Sequence, residues 1–214
     1  RYLEGELRKW LVKPYVQILF GARQTGKTTL LRKVCHEAAL WIDLADPAER
    51  SRYLSRPGTL IDECLALKKS ETPHLIVIDE AQTISAENME TLTHISNEQT
   101  QKVKLVQIVL LAQPNFLRKL TYKPALRDRI AHGSTLNPLT YEDATALLQY
   151  RLEVAGGDFD RLFPGELPRA IYNTTRGIPR RLCMLCDNML LNAYAQGKQC
   201  ADDQVLADAL SLLT

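Results

Sequence analysis

A chain of 214 residues is long enough to bury a sizeable core, and one compact unit with a smaller second one is the expected organisation. Hydrophobic residues make up 45% and charged residues 24% of the chain, which is ordinary for a globular protein. A formal net charge of +2 excludes a strongly basic chain, although a local basic patch is compatible with it.

Four continuous apolar runs in the first half predict strands, at residues 16–20, 40–44, 74–78 and 104–111. Helical patterns lie before and between them, at residues 3–12, 29–34, 48–69 and 86–97. Continuous rather than alternating apolar strands are typical of a parallel sheet that is covered on both faces. The first half is therefore predicted to be a parallel sheet between layers of helices.

The composition changes after about residue 138, and from there on the patterns are helical. Helices are predicted at 140–155, 166–175, 178–196 and 201–213, with glycine and proline between them. The predicted domains are a sheet domain at 1–138 and a small all-helical domain at 139–214.

The cysteines and the apolar runs bear on the setting of the chain. No apolar run approaches the roughly 20 residues that span a bilayer, so no integral membrane segment is predicted. Five cysteines, an odd and scattered number, favour a reducing, cytoplasmic setting. Cys183 and Cys186 have the spacing of some zinc ligands, but no second pair accompanies them. Packing on one face of a helix is their predicted role.

A glycine-rich loop follows the first strand and fits the pattern G-x-x-x-x-G-K-[ST]. In such a loop several backbone N–H groups point at a phosphate, and the following helix offers it a positive end. Lys27 can reach the outer phosphates of a nucleotide, and the hydroxyl of Thr28 is placed for a magnesium ion. The predicted phosphate-binding residues are Gly21, Ala22, Arg23, Gln24, Thr25, Gly26, Lys27, Thr28 and Thr29.

Two acids close the apolar run at 74–78. Asp79 is predicted to hold magnesium, and Glu80 to activate a water molecule for attack on the phosphate. The alternative is that the two acids only cap the next helix. That alternative is disfavoured, because adjacent carboxylates at the end of a buried strand are costly without a cation nearby.

Three further polar residues are candidates for the chemistry. Gln113 follows the run at 104–111 and is predicted to orient the water or to sense the γ-phosphate; an ordinary loop residue is the alternative. Arg129 is the first choice for an arginine that stabilises the transferred phosphoryl group from a neighbouring subunit, and Arg127 is the second. An exposed basic helix end, or pairing with Asp128, is the alternative for both. Arg180 begins a helix and could reach back to the phosphates.

Together these residues resemble an AAA+ ATPase over most of the chain. The loop at 21–28 matches Walker A, residues 75–80 match Walker B, and Gln113, Arg129 and Arg180 match sensor 1, the arginine finger and sensor 2. The resemblance implies an α/β P-loop NTPase fold, an αβα sandwich with a parallel sheet of strand order 5-1-4-3-2, and a small C-terminal all-helical lid domain. It also implies ATP and Mg²⁺, with the nucleotide at the subunit interface of a homo-oligomeric ring or filament.

Two narrower resemblances divide the chain. Residues from about 75 to 200 are similar to general secretion pathway protein A, the ExeA type, and to the related TniB/TnsC-like transposition ATPases. The matching stretches are 78–82, 95–97, 108–110, 113–114, 129–130, 177–180, 185–187 and 193–194. The first 70 residues look more like the AAA_14 type, in the stretches 21–28 and 41–47. The two halves agree on an ATPase and leave secretion and transposition open as pathways.

Two functions are therefore expected. The first is an oligomeric ATPase whose lid and surface act on a protein or DNA partner. The alternative is an ATP-gated DNA-binding adaptor of the transposition type, in which assembly is the output. An inactive nucleotide-binding module is a third possibility, which the intact pair of acids disfavours. Five basic residues could contact DNA phosphates or the nucleotide of a neighbouring subunit: Arg118, Lys119, Lys123, Arg127 and Arg129.

Overall fold

The computed structural model describes residues 2–11, 15–35, 40–56, 58–67, 74–97 and 106–211. The chain divides into two compact units, Arg1–Leu136 and Asn137–Thr214. Within the described residues, no helix combines the length and the apolar character that a membrane crossing requires.

The first unit contains a five-stranded parallel sheet with helices packed against it. The strands are β1 (Val16–Gly21), β2 (Leu40–Asp43), β3 (His74–Asp79), β4 (Val106–Ala112) and β5 (Ile130–Leu136). The helices are α1 (Tyr2–Trp10), α2 (Lys27–Val34), α3 (Pro47–Ser55), α4 (Thr59–Ala66), α5 (Ala86–Ile95), α6 (Phe116–Thr121) and α7 (Pro124–Arg127). The strand order is β2-β3-β4-β1-β5. This confirms the predicted P-loop NTPase fold and its strand order.

The alternation of side chains along the central strands divides the core into two layers. Ile76, Ile78, Ile108 and Leu110 pack in one layer, with α5 and α6 supplying much of the rest. Val77, Val109 and Leu111 pack in the other layer against the buried residues of α1 and α2. Because β1 and β4 are buried at every residue, their sequences are apolar almost throughout, as expected for strands covered on both faces.

The second unit is helical, as predicted for the C-terminal region. It contains α8 (Tyr141–Val154), α9 (Phe159–Leu162), α10 (Leu167–Thr175), α11 (Pro179–Ala195) and α12 (Asp203–Ser211) around its own core. Cys186 is 5% exposed in that core, and Cys183 is half-buried. The short helix α9 was not among the predicted elements, since four residues are too few to show a helical period.

Candidate functional site

The loop between β1 and α2 depends on glycine at both of its ends. A Cβ atom on Gly21 would lie 2.9 Å from the carbonyl oxygen of Leu136 and 2.9 Å from Oγ1 of Thr25. Gly26, the residue before α2, has a φ of 87° in the left-handed region that favours glycine. Gln24 also has a positive φ, of 66°, which is uncommon for a residue with a side chain. The loop is therefore tightly curled beneath the start of α2.

The side chain of Lys27 is buried against this loop. It is 5% exposed, and Nζ donates hydrogen bonds of 2.9 Å to the carbonyl oxygens of Gly21 and Ala22. Burial lowers the pKa of Lys27, an effect that the charges of Glu80 and Asp79 oppose. Since an ammonium group has three donors, two bonds to the loop leave one for an anion at its mouth.

The threonine after this lysine meets the first acid of the strand end. The hydroxyl of Thr28 donates a 2.5 Å hydrogen bond to Oδ2 of Asp79, and the backbone N–H of Glu80 donates to Oδ1 at 2.8 Å. Asp79 is 4% exposed, and burial is the first cause that raises its pKa. The charges of Asp43 and Glu80 raise this pKa further, while the two hydrogen bonds lower it.

A magnesium ion fits this arrangement. A hydroxyl and a carboxylate are the hard oxygen donors that Mg²⁺ prefers, and the ion usually keeps water and phosphate oxygens as its other ligands. In the part of the chain that the structure describes, no three His, Cys, Asp or Glu residues are grouped to hold a metal on their own. Thr28 and Asp79 are thus the two side chains that would hold it.

Glu80 is placed beside the same strand ends. Its backbone is left-handed, with a φ of 52°, and its Oε2 accepts a hydrogen bond of 3.2 Å from Nε2 of Gln113. Oε2 also accepts a hydrogen bond from Nε2 of Gln82, whose Oε1 accepts the backbone N–H of Gln113 at 3.0 Å. The carboxyl ends of β3 and β4 are thereby linked through side chains.

Arg129 lies at the amino-terminal ends of the strands, whereas the loop and the two acids lie at their carboxyl ends. It immediately precedes Ile130, which pairs with Val16 at the start of β1, whereas Gly21 pairs with Leu136 at the end. Along six strand residues this separation amounts to about 17 Å. Nε of Arg129 donates to Oδ1 of Asn97 at 2.9 Å, and a terminal nitrogen donates to the carbonyl oxygen of Ala125 at 2.7 Å.

The other two arginines have different surroundings. Arg127 is exposed and forms a 3.4 Å ion pair with Asp128. This pairing is the alternative to an arginine-finger role that the sequence left open. Arg180 is exposed in the first turn of α11, in the second unit. The turn before α11 is fixed to Leu139: the Leu139 backbone N–H donates to the carbonyl oxygen of Gly177 at 2.8 Å, and a Cβ on Gly177 would lie 2.2 Å from the Leu139 oxygen.

Three site residues were not predicted. Asp43 lies in register with Asp79 on the neighbouring strand, and an acid at the end of a predicted strand was a usable signal. Gln82 follows Glu80 by two residues, but its role depends on contacts with β4 that the sequence does not show. Asn97 holds Arg129 from 32 residues away, a contact with no local signal in the sequence.

A glycine loop after a central parallel strand, with a strand-end carboxylate against the threonine of that loop, defines a P-loop nucleotide-binding domain. The family model described as "AAA domain", AAA_14, matches residues 13–144. The chain therefore belongs to the AAA_14 family, and the match extends well beyond the first 70 residues in which the resemblance was expected.

Among known proteins the chain is similar to general secretion pathway protein A of Aeromonas hydrophila, with 31% identity over 172 residues. The match covers 78% of this chain but 30% of that relative. This confirms the resemblance expected from the sequence.

Solved structures show the same fold. RuvB of Thermotoga maritima, a Holliday junction branch migration motor, has a TM-score of 0.69 at 16% identity, over 99% of this chain and 66% of that one. Domain III of the Thermotoga maritima replication initiation protein DnaA also has a TM-score of 0.69, at 18% identity, over 98% of this chain and 89% of that one.

Proposed function

We propose that this protein is an AAA+ ATPase that binds and hydrolyses ATP with Mg²⁺ at the interface between its subunits. The contact between Thr28 and Asp79 carries the proposal. It joins residues 51 positions apart into one oxygen-lined corner at the helix end where the phosphates of a nucleotide are best bound. Membership of the AAA_14 family supports the same conclusion.

Each residue of the corner has a task in this proposal. The backbone N–H groups of the loop and the remaining donor of Lys27 bind the phosphates, and Thr28 and Asp79 hold Mg²⁺. The ion, when bound, neutralises charge on the phosphate oxygens. Glu80 takes a proton from the attacking water, and Gln113 orients that water or contacts the γ-phosphate. Their neighbouring positions at the ends of β3 and β4 support this division of work.

The proposal includes a homo-oligomer, either a ring or a filament. Because Arg129 lies about 17 Å of strand away from the loop of its own subunit, it cannot complete that subunit's site. A head-to-tail arrangement would bring it to the site of the next subunit. The bonds from Asn97 and Ala125 keep its guanidinium group in one orientation for this purpose.

The second unit, Asn137–Thr214, is proposed to act as a lid; it begins two residues before the predicted helical domain at 139–214. Arg180 is the residue that would sense the nucleotide, and the bond between Leu139 and Gly177 would transmit its displacement to the start of the lid. A nucleotide-dependent change in the lid or in assembly would then act on a partner. The five free cysteines, all within the described residues, support a reducing, cytoplasmic setting.

The basic residues favour a protein partner over DNA. Two of the five are paired with carboxylates, Lys123 with Glu90 and Arg127 with Asp128, and Lys119 donates to the Ile84 carbonyl oxygen. Fewer positive charges are therefore available to DNA phosphates than the five basic residues in the sequence suggest. RuvB is a Holliday junction branch migration motor and DnaA a replication initiation protein, but at 16% and 18% identity these likenesses support the fold alone.

The test is steady-state ATP hydrolysis at increasing protein concentration, with Mg²⁺ or with EDTA. Turnover per subunit should rise with concentration as interfaces form, and EDTA should abolish it. A turnover per subunit that is independent of protein concentration would contradict a site shared between subunits. Absence of hydrolysis would contradict the proposal that the protein is an ATPase. Duplex DNA added at low salt tests the adaptor alternative, since stimulation with a steep salt dependence would favour it.

A further inference from the structure

Glu80 is held by two amide side chains that come from different places. Gln82 lies in the short helical turn Ala81–Thr83, directly after the strand that Glu80 follows, and Gln113 comes just after β4. Both donate to the same carboxylate oxygen, Oε2. Among the described residues, both of these hydrogen bonds go to Oε2 of Glu80. Oε1 of Glu80 is therefore the oxygen that can receive a proton.

Gln82 is fixed at both ends of its amide. While Nε2 donates to Glu80, Oε1 accepts the backbone N–H of Gln113 at 3.0 Å. The turn that carries it is secured by Thr83, whose backbone N–H and hydroxyl both donate to the Glu80 carbonyl oxygen at 2.9 Å. Since both ends of the amide are bonded, the Gln82 side chain has a single favourable orientation.

The backbone of Glu80 makes such support necessary. A φ of 52° and a ψ of 40° place it in the left-handed region, which is unfavourable for a residue with a Cβ atom. Strained residues keep their conformation only where surrounding contacts hold them. The bonds from Gln82 and Thr83 are contacts of this kind, on the side chain and on the backbone respectively.

Bound nucleotide would affect the side chains of Gln113 and Gln82 differently. If Gln113 turns its side chain to the γ-phosphate, as the proposed function has it, its bond to Glu80 is lost. The Gln82 bridge does not depend on that side chain, because it is anchored on the Gln113 backbone. Gln82 can therefore keep hold of Oε2 while Gln113 changes partners.

We propose that Gln82 is a positioning residue for hydrolysis: it holds Oε2 of Glu80 so that Oε1 faces the attacking water. This inference rests on the proposed function. It separates turnover from binding, because the hydrogen bonds of Gln82 go to Glu80 and Gln113 and not to the phosphate-binding loop.

Two substitutions separate the two ends of the amide. Gln82→Met has nearly the same shape and can neither donate nor accept strongly. Gln82→Glu keeps an acceptor for the Gln113 N–H but cannot donate to Glu80 and places a second carboxylate beside it. Gln204→Met makes the same chemical change at an exposed residue of α12, which belongs neither to the phosphate-binding loop nor to the strand ends of the first unit.

Three measurements are compared in wild type and variants: kcat for ATP with Mg²⁺, the Kd of a fluorescent ADP analogue, and hydrogen exchange at the Gln113 backbone N–H without nucleotide. Both Gln82 variants should lower kcat by about tenfold or more, as for a loss of oriented proton transfer. Their Kd should stay within about twofold of wild type. Exchange at Gln113 should quicken about tenfold in Gln82→Met and stay slow in Gln82→Glu, because only the former lacks the acceptor.

The outcomes distinguish this inference from the proposed function. If Glu80→Gln stops turnover but both Gln82 variants turn over like wild type, Gln82 does not position Glu80, and the proposed function stands. A Kd raised as much as kcat is lowered would assign Gln82 a purely structural role and overturn the inference. A wild type that hydrolyses no ATP would overturn both.

Discussion

Replacing Asp79 by asparagine is expected to stabilise the nucleotide-free protein while it removes the effect of Mg²⁺ on the ATP-bound protein. Asp79 is 4% exposed, and its raised pKa is due first to burial and then to the charges of Asp43 and Glu80. Asparagine would keep both hydrogen bonds. Its oxygen can accept the Glu80 N–H, and its NH₂ group can donate to the Thr28 hydroxyl, which can also act as an acceptor.

The expected gain follows from the neutralised charge. Because the neutral amide carries no buried charge, we expect Asp79→Asn to raise the free energy of unfolding at neutral pH by about 1–2 kcal/mol, within the range that single stabilising substitutions commonly give. For a chain of this size that is a rise of about 2–8 °C in Tm. The gain should shrink as the pH falls through the raised pKa of Asp79, because the wild-type side chain is then protonated and neutral as well.

Thermal unfolding at several pH values is the assay, with Asp46→Asn as the matched control. Asp46 is exposed and caps α3 by accepting the Ala48 N–H, a role that asparagine fills equally well, so its Tm should hardly change. Adding Mg²⁺ to the ATP-bound protein should raise the Tm of wild type and of the control further, but not that of Asp79→Asn. A lower Tm for Asp79→Asn at neutral pH, or a gain that grows on acidification, would refute the reasoning.

Further substitutions test other parts of the account. Lys27→Ala should abolish binding of a fluorescent ATP analogue, since it removes the cation in the loop, and retained affinity would remove the phosphate-binding assignment. Glu80→Gln should bind the analogue normally but lose about 100-fold or more in turnover; normal turnover would reassign the base. Gly177→Ala should lower the Tm clearly more than Gly197→Ala. Both glycines have a positive φ, but a Cβ on Gly177 meets the Leu139 carbonyl oxygen at 2.2 Å, and one on Gly197 meets nothing within 4 Å. Equal effects of the two would mean that this turn relaxes freely.

Much of the sheet could be read from the sequence because burial on both faces leaves a local record. The strands β1, β3 and β4 appear as runs that are apolar almost throughout. The edge strand β5 has no such run: among the described strands it pairs only with β1, and its middle positions are exposed at Gly133 and half-buried at His132 and Ser134. Its existence followed from the family resemblance instead.

The same distinction applies to the site. The loop is one run of consecutive residues, and the two acids are another. Because local chemistry sets the residue types within each run, a motif suffices to locate it. The bridge from Gln82 to Gln113 and the bond from Asn97 to Arg129 join residues 31 and 32 positions apart. Such contacts depend on which strands are neighbours and on side-chain directions, which a single sequence does not encode locally.

The shared site is tested most directly by mixing two inactive variants. Arg129→Ala keeps an intact Glu80, and Glu80→Gln keeps an intact Arg129, so each supplies what the other lacks. If Arg129 acts on the neighbouring subunit, an equal mixture should recover roughly a quarter of wild-type turnover, the share of interfaces that combine both intact residues. If the mixture stays as inactive as its components while both variants still assemble, hydrolysis does not use Arg129 across a subunit interface.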